Sequence, residues 1–125
     1  MRAEEDVPGF TLICEYAGEV HPARQSEYLF STTKDSIMEL VHAKRSVNSR
    51  IIDPDNHGNL ARFISGVNNY SEKSLQKQNV RSAKFDIDGR VHVLLYSFRR
   101  IKKGEYLYYD YNAGGSSTYP TEEFV

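Results

Sequence analysis

Five of the chain's nine tyrosines lie in residues 104–125, and four of these crowd into Tyr106-Leu107-Tyr108-Tyr109-Asp110-Tyr111-Asn112. On a strand the side chains alternate between faces, so Tyr109 and Tyr111 project to one side and Tyr106 and Tyr108 to the other. Two phenols on one face, about 7 Å apart from two strand rises, can flank a small cationic group. Tyrosine also favours strands for its own sake, and taken alone an ordinary aromatic-rich strand is the commoner explanation. A second candidate is Asn59-Leu60-Ala61-Arg62-Phe63-Ile64-Ser65-Gly66-Val67-Asn68-Asn69. Short polar side chains and a glycine there follow a cappable turn and can offer amides and backbone donors to a polar ligand. A plain surface loop has the same composition.

Other chemistry is thinly represented. The sequence has no Gly-rich phosphate loop ending in Lys-Ser/Thr, no His-x-x-x-His and no Gly-x-Ser-x-Gly. His21, His42, His57 and His92 stand far apart without metal spacing, and packed or solvated histidine is the default reading. The single cysteine, Cys14, cannot form an internal disulfide or a multi-cysteine zinc site, and it reads as a small core residue. With no secretory h-region and no apolar run near the ~18 residues of a membrane span, a reducing intracellular compartment without a membrane is expected.

The formal net charge of −1 conceals a segregation: −5 over residues 1–41, +8 over 42–103 and −4 over 104–125. Clustered but solvated surface charge accounts for this as well as function does. The acidic, tyrosine-rich ending suits a cationic peptide and suits nucleic acid poorly. The basic middle keeps a weak nucleic-acid or nucleosome contact open.

These segments need elements to position them. At 125 residues, 39% hydrophobic and 26% charged, the chain has the size and composition of one globular domain. Phe10 to Tyr16 reads as a strand between the Val7-Pro8-Gly9 turn and Gly18. A short helix through Glu27-Tyr28-Leu29-Phe30 is weighed within the polar stretch 22–34. Ser36 to Val41 suits either state, with strand preferred. Asp53-Pro54-Asp55-Asn56-His57-Gly58 is a dense turn cluster, and Asn59 can cap a helical turn or two over Leu60 to Ile64. Residues 65–79 read as loop with at most one helical turn. Asp88-Gly89 predicts a type I′ hairpin between Val80–Ile87 and Arg90–Phe98, whose second strand is apolar on both faces and belongs inside a sheet. Lys103-Gly104 turns the chain into a strand from Tyr106 to Tyr111. The expected class is mostly β, with little helix.

Three segments resemble one family. Glu15-Tyr16-Ala17-Gly18-Glu19-Val20 resembles the EYxGE segment of SET-domain protein lysine methyltransferases. Gly58-Asn59-Leu60-Ala61-Arg62-Phe63-Ile64 is similar to the stretch leading into their NHSC motif, and Gly104-Glu105-Tyr106-Leu107-Tyr108-Tyr109-Asp110-Tyr111 to their GEEL-x-YDY motif. The three occur in the family's order and spacing, so the resemblance covers nearly the whole chain. Asp35-Ser36-Ile37-Met38, Arg62 to Asn69, Lys77-Gln78-Asn79 and the ending Tyr119 to Val125 resemble the plant-type trithorax-related monomethyltransferases of core histone three. There are departures. The family's Gly-x-Gly cofactor loop belongs before Arg2-Ala3-Glu4 and is not among residues 1–125. Ser65-Gly66-Val67-Asn68 stands in place of NHSC, Asn79 matches the later asparagine of that motif, and the zinc-binding post-SET cysteines are missing.

The resemblance implies a SET domain over residues 1–125: small β-sheets around a pseudoknot in which the C-terminal strand passes beneath the loop after Arg62-Phe63. It implies methyl transfer from S-adenosylmethionine to a peptidyl lysine without a metal, by a nuclear monomer whose partner is a histone tail or nucleosome. Monomethylation of the lysine at position twenty-seven of core histone three is the leading candidate. Tyr111 and Tyr109 would be catalytic; Tyr16, Arg62, Phe63, Asn68 and Asn69 would hold the cofactor. Tyr109, Tyr119, Glu122 and Phe124 would meet the substrate, the aromatic tail closing the lysine channel in place of post-SET cysteines. The alternative is a catalytically silent SET-like module that binds basic histone tails. The absent loop and altered NHSC favour it; the intact Tyr109-Asp110-Tyr111 opposes it.

Overall fold

The computed structural model describes residues 1–22, 36–41, 49–113 and 119–125; the helix expected through Glu27 to Phe30 lies outside them. Among the described residues the strands are β1 (Leu12–Glu15), β2 (Glu19–Pro22), β3 (Met38–Val41), β4 (Arg50–Asp53), β5 (Ser65–Gly66), β6 (Val80–Ile87), β7 (Arg90–Ser97) and β8 (Tyr108–Tyr109). Helix among the described residues is confined to α1 (Glu72–Leu75) and a 3-10 turn at Leu60–Phe63. The domain is mostly β, as its composition of short β-forming runs requires.

The hairpin falls where its turn chemistry puts it. Asp88 (φ 52°) and Gly89 (φ 77°) both adopt the left-handed backbone of a type I′ turn, and the Asp86 carboxylate accepts the Gly89 N–H at 2.9 Å. The sheet order is β1-β7-β6, so the strand that is apolar on both faces is the central one, with Val93 and Leu95 buried.

The chain divides into two compact units. The first comprises Met1–Cys14, Phe63–Ala83 and Leu94–Val125, the second Glu15–Arg62 and Lys84–Val93. In the second, β4 is the middle strand of an antiparallel sheet ordered β2-β4-β3, with Ile52 opposite both Val20 and Met38. Ile51 and Ile52 are buried, which is what two β-branched residues at the centre of a sheet provide. The strand preference for Ser36 to Val41 holds at Met38–Val41, whereas β2 was not anticipated. Gly18 precedes β2 because a β-carbon there would lie 2.6 Å from the Asp53 carbonyl oxygen. Asn59 caps the 3-10 turn as expected: its Oδ1 accepts the Ala61 N–H at 3.1 Å, and its amide donates to the Glu15 carbonyl at 2.8 Å.

In the first unit the N-terminal segment runs antiparallel to residues 97–107. Val7 and Ile101 exchange hydrogen bonds of 2.8 and 2.9 Å, the Ala3 N–H reaches the Glu105 carbonyl at 2.9 Å, and the Leu107 N–H reaches the Met1 carbonyl at 3.1 Å. The Lys103 N–H, then the Arg100 guanidinium, hold the Asp6 carboxyl below the usual carboxylate range. That contribution is present above the unfolded-state value and is lost as pH falls through the lowered one. Cys14 is half-buried, and burial pushes its thiol up, which suits an inert residue.

Residues 106–109 then pass between two partners. On one side β8 pairs in parallel with β5, Ser65 opposite Tyr108 and Gly66 opposite Tyr109, and the Val67 N–H continues the ladder to the Tyr109 carbonyl. On the other side stands Asn79, 1% exposed. Its carboxamide donates to the Tyr106 carbonyl at 2.8 Å and accepts the Tyr108 N–H at 2.9 Å, and its own N–H donates to the Tyr108 carbonyl at 3.2 Å. These pairings set residues 106–109 beside the segment after Phe63, next to which the resemblance puts the C-terminal strand. The strand itself is shorter than Tyr106 to Tyr111: Tyr106 makes only an isolated bridge to Arg2. Its partner β5 has two residues, and Asp110 ends the ladder with a turn, its carboxylate taking the Asn112 N–H at 2.9 Å.

Asn79→Ala removes the side-chain partners of the Tyr106 carbonyl and the Tyr108 N–H, both part-buried, and should cost about 1–3 kcal/mol. Urea unfolding checks this; a loss below about 1 kcal/mol would contradict the role given to Asn79.

Candidate active site

Gly66 decides what can lie against β8. A β-carbon there would sit 2.5 Å from Phe124 Cε2 and 3.1 Å from Tyr111 Cδ2, so the missing side chain is the space that two rings occupy. Tyr111 is the hub of four rings. Its centroid lies 4.7 Å from that of Tyr109, 5.4 Å from Tyr119 and 5.6 Å from Phe124, the last two edge-on. Tyr119 and Phe124 complete the cluster at 6.0 Å. Tyr109 is buried, and the other three are half-buried. The Tyr111 hydroxyl donates to the Ile64 carbonyl at 2.6 Å, which fixes its proton, so toward any further partner its oxygen acts as an acceptor. No cluster of potential metal ligands occurs among the described residues. Aromatic faces and a pinned phenol suit the alkyl stem and nitrogen of an amine.

The tail that supplies Tyr119 and Phe124 is held by amides. Asn68 Nδ2 donates to the Glu122 carbonyl at 2.9 Å and to the Phe124 carbonyl at 3.1 Å. Asn69 Nδ2 donates to Asp110 Oδ1 at 2.8 Å, and its Oδ1 accepts from Asn112 at 2.8 Å and Thr121 at 3.0 Å. Glu122 and Glu123 remain exposed.

Residues 1–112 match the family model described as the SET domain. The chain belongs to the SET domain family. It is 43% identical over 127 residues to Histone-lysine N-methyltransferase ATXR6 of Arabidopsis thaliana, covering 100% of this chain and 35% of the relative. It is 42% identical over 125 residues to Probable Histone-lysine N-methyltransferase ATXR5 of Ricinus communis, covering 100% and 32%. The chain thus spans about a third of the length of the curated relatives it matches. A crystal structure of ATXR5 in complex with mono-methylated histone H3.1 superposes with a TM-score of 0.92 at 42% identity, over 99% of this chain and 56% of that one. A polycomb repressive complex 2 bound to S-adenosylmethionine reaches 0.73 at 17% identity, over 93% and 14%, a likeness of fold alone.

In this SET domain Tyr109, Tyr111, Tyr119, Glu122, Phe124, Asn68 and Asn69 all fall in the first unit. The side chains of Asn68 and Asn69 bond to the tail and to Asp110. Both follow the end of β5, where the carbonyls of Glu122 and Phe124 and the hydroxyl of Thr121 offer partners. Phe63 opens a segment of the first unit with 61% of its surface exposed. Tyr16 and Arg62 belong to the second unit. Tyr16 is buried, its hydroxyl donating to the Ser36 carbonyl at 2.5 Å. Arg62 reaches the Pro54 carbonyl at 3.1 Å and Asp55 at 3.3 Å. The contributions of Gly66, Ile64, Asn112 and Thr121 were not anticipated. The glycine in place of the family's histidine was the one visible signal.

Gly66→Ala should push Phe124 and Tyr111 apart, costing about 1–3 kcal/mol and weakening the near-ultraviolet circular dichroism of the packed tyrosines. An unchanged spectrum and Tm would contradict the close approach.

Proposed function

We propose that this domain transfers a methyl group from S-adenosylmethionine to the ε-amine of a lysine in a histone tail. The observation that carries the reading is Tyr111, ringed by three aromatic side chains and with its hydroxyl pinned to the Ile64 carbonyl. Support also comes from relatives named as histone-lysine methyltransferases and from the histone in the ATXR5 crystal structure.

A lysine nitrogen attacks only when neutral, and its ordinary pKa is about 10.4. Taking the ammonium among aromatic rings removes water and favours the neutral form. Tyrosine, with a pKa near 10, is a poor proton acceptor. Tyr111 therefore orients the amine through its oxygen and leaves proton removal to solvent. S-adenosylmethionine, when bound, supplies a methyl group on a positively charged sulfur. Holding the amine in line with that methyl is a proximity effect. The largely exposed ring of Phe63 offers an apolar face to the cofactor; the roles of Tyr16 and Arg62 there rest on the resemblance. Glu122 and Glu123 form an acidic rim for a Lys/Arg-rich peptide. The finer reading is monomethylation, in the nucleus, of the lysine at position twenty-seven of core histone three, with Tyr109 opposing a second transfer. A hydroxyl there holds the amine or a neighbouring water that a second methyl must displace.

The competing reading is a silent module that binds basic tails. It is favoured by Asn68 and Asn69, whose amides hold the tail. Titration calorimetry of the intact protein with S-adenosylmethionine separates the two, since a silent module gives no heat.

Intact-mass analysis of a histone tail peptide tests the chemistry. The unmodified protein should stop at one methyl, Tyr109→Phe should proceed to two, and Tyr111→Phe should lose about 100-fold in kcat with cofactor affinity kept. Abundant trimethyl product from the unmodified protein, or a Tyr109→Phe variant that still stops at one, contradicts the assignment. Replacing both Glu122 and Glu123 with Gln should weaken peptide binding several-fold at low salt and little at high salt. An equal Kd at low salt removes the electrostatic role of the rim.

A further inference from the structure

We infer that Asn69 is a positioning residue that sets the grip on the lysyl side chain by holding the aromatic tail against Tyr111. The inference rests on the function proposed above and concerns its substrate side. The Asn69 carboxamide works in two directions. Toward the tyrosine segment, Nδ2 donates to Asp110 Oδ1 at 2.8 Å. Toward the tail, Oδ1 accepts from Thr121 Oγ1 at 3.0 Å and from Asn112 Nδ2 at 2.8 Å. The Asn69 N–H returns to Thr121 Oγ1 at 3.2 Å. Asn112 in turn grips both main-chain groups of Tyr119, accepting its N–H at 2.6 Å and donating to its carbonyl at 3.1 Å.

The chemistry of the partners fixes the orientation of this amide. A carboxylate only accepts, so Nδ2 must face Asp110 and Oδ1 must face the tail. Thr121 is fully buried, so its hydroxyl is costly to leave unpaired. Tyr119 and Phe124 stand on either side of Thr121 in the chain, and both rings meet Tyr111 edge-on. Loosening Thr121 and Tyr119 therefore opens the ring wall, while Tyr109 keeps its place on β8. The consequence falls on substrate affinity and spares the methyl-transfer step.

Two variants test this on the intact protein. Asn69→Asp keeps the shape but sets a second carboxylate against Asp110. Thr121→Val keeps the volume without the hydroxyl, and it carries the test if Asn69→Asp fails to fold. Three quantities are read: hydrogen exchange at the Tyr119 amide, KM and kcat with a histone tail peptide, and the calorimetric Kd for S-adenosylmethionine. Exchange at Tyr119 should quicken by about tenfold or more and peptide KM should rise about tenfold, with kcat within about threefold and cofactor Kd within about twofold. Unchanged Tyr119 protection, or a weakened cofactor Kd with KM unchanged, overturns the inference. Failure of the unmodified protein to methylate any peptide overturns the functional reading instead, and the exchange data still decide whether Asn69 holds the tail.

Discussion

One buried carboxamide holds the segment on which the site is built. Asn79 closes residues 106–108 from one side while β5 closes residues 108–109 from the other. A two-residue parallel pairing is too short to be stable by itself, and tertiary contacts must supply what the ladder lacks. The buried amide does so by pairing with the Tyr106 carbonyl and the Tyr108 N–H, which are part-buried. Everything downstream inherits that placement. Tyr109 is fixed by β8, the Asp110 turn aims Tyr111, and Gly66 on the facing strand leaves room for the rings to close.

The site works with neutral groups. Four aromatic rings and a phenol whose proton is held by a carbonyl form a weakly polar surface suited to the alkyl stem of an amine. The Asp110 carboxylate between the two tyrosines is engaged by Asn69 and Asn112, and Glu122 and Glu123 are exposed to solvent. A carboxylate among the rings would stabilise the ammonium and oppose attack. A carboxylate at the rim attracts a basic peptide and leaves the nucleophile alone.

Local chemistry was legible in the sequence, and long-range pairing was not. Asp88-Gly89 gives its hairpin because few residues tolerate two positive φ values, and the doubly apolar strand after it had to be central. The Asn59 cap is equally local. By contrast β5 is two residues long and has no periodicity, and β2 carries only the single exposed Val20 among polar neighbours and a proline. The Tyr106-to-Tyr111 run was read as one strand because alternation cannot register a buried asparagine 27 residues earlier or the turn that Asp110 makes. The tyrosines themselves stand out by type and spacing. That the Asn68 and Asn69 side chains hold the tail was not legible, since these partners lie more than 40 residues away.

The central claim is that the lysine nitrogen is presented among the Tyr111 rings. The most direct measurement is a crystal structure of the intact protein with S-adenosylhomocysteine and a lysine-containing histone tail peptide. The account predicts the ε-nitrogen within hydrogen-bond distance, about 3 Å, of the Tyr111 hydroxyl, its alkyl stem passing between Tyr109, Tyr119 and Phe124. A lysine bound elsewhere, with the four rings closed on one another as before, would contradict it.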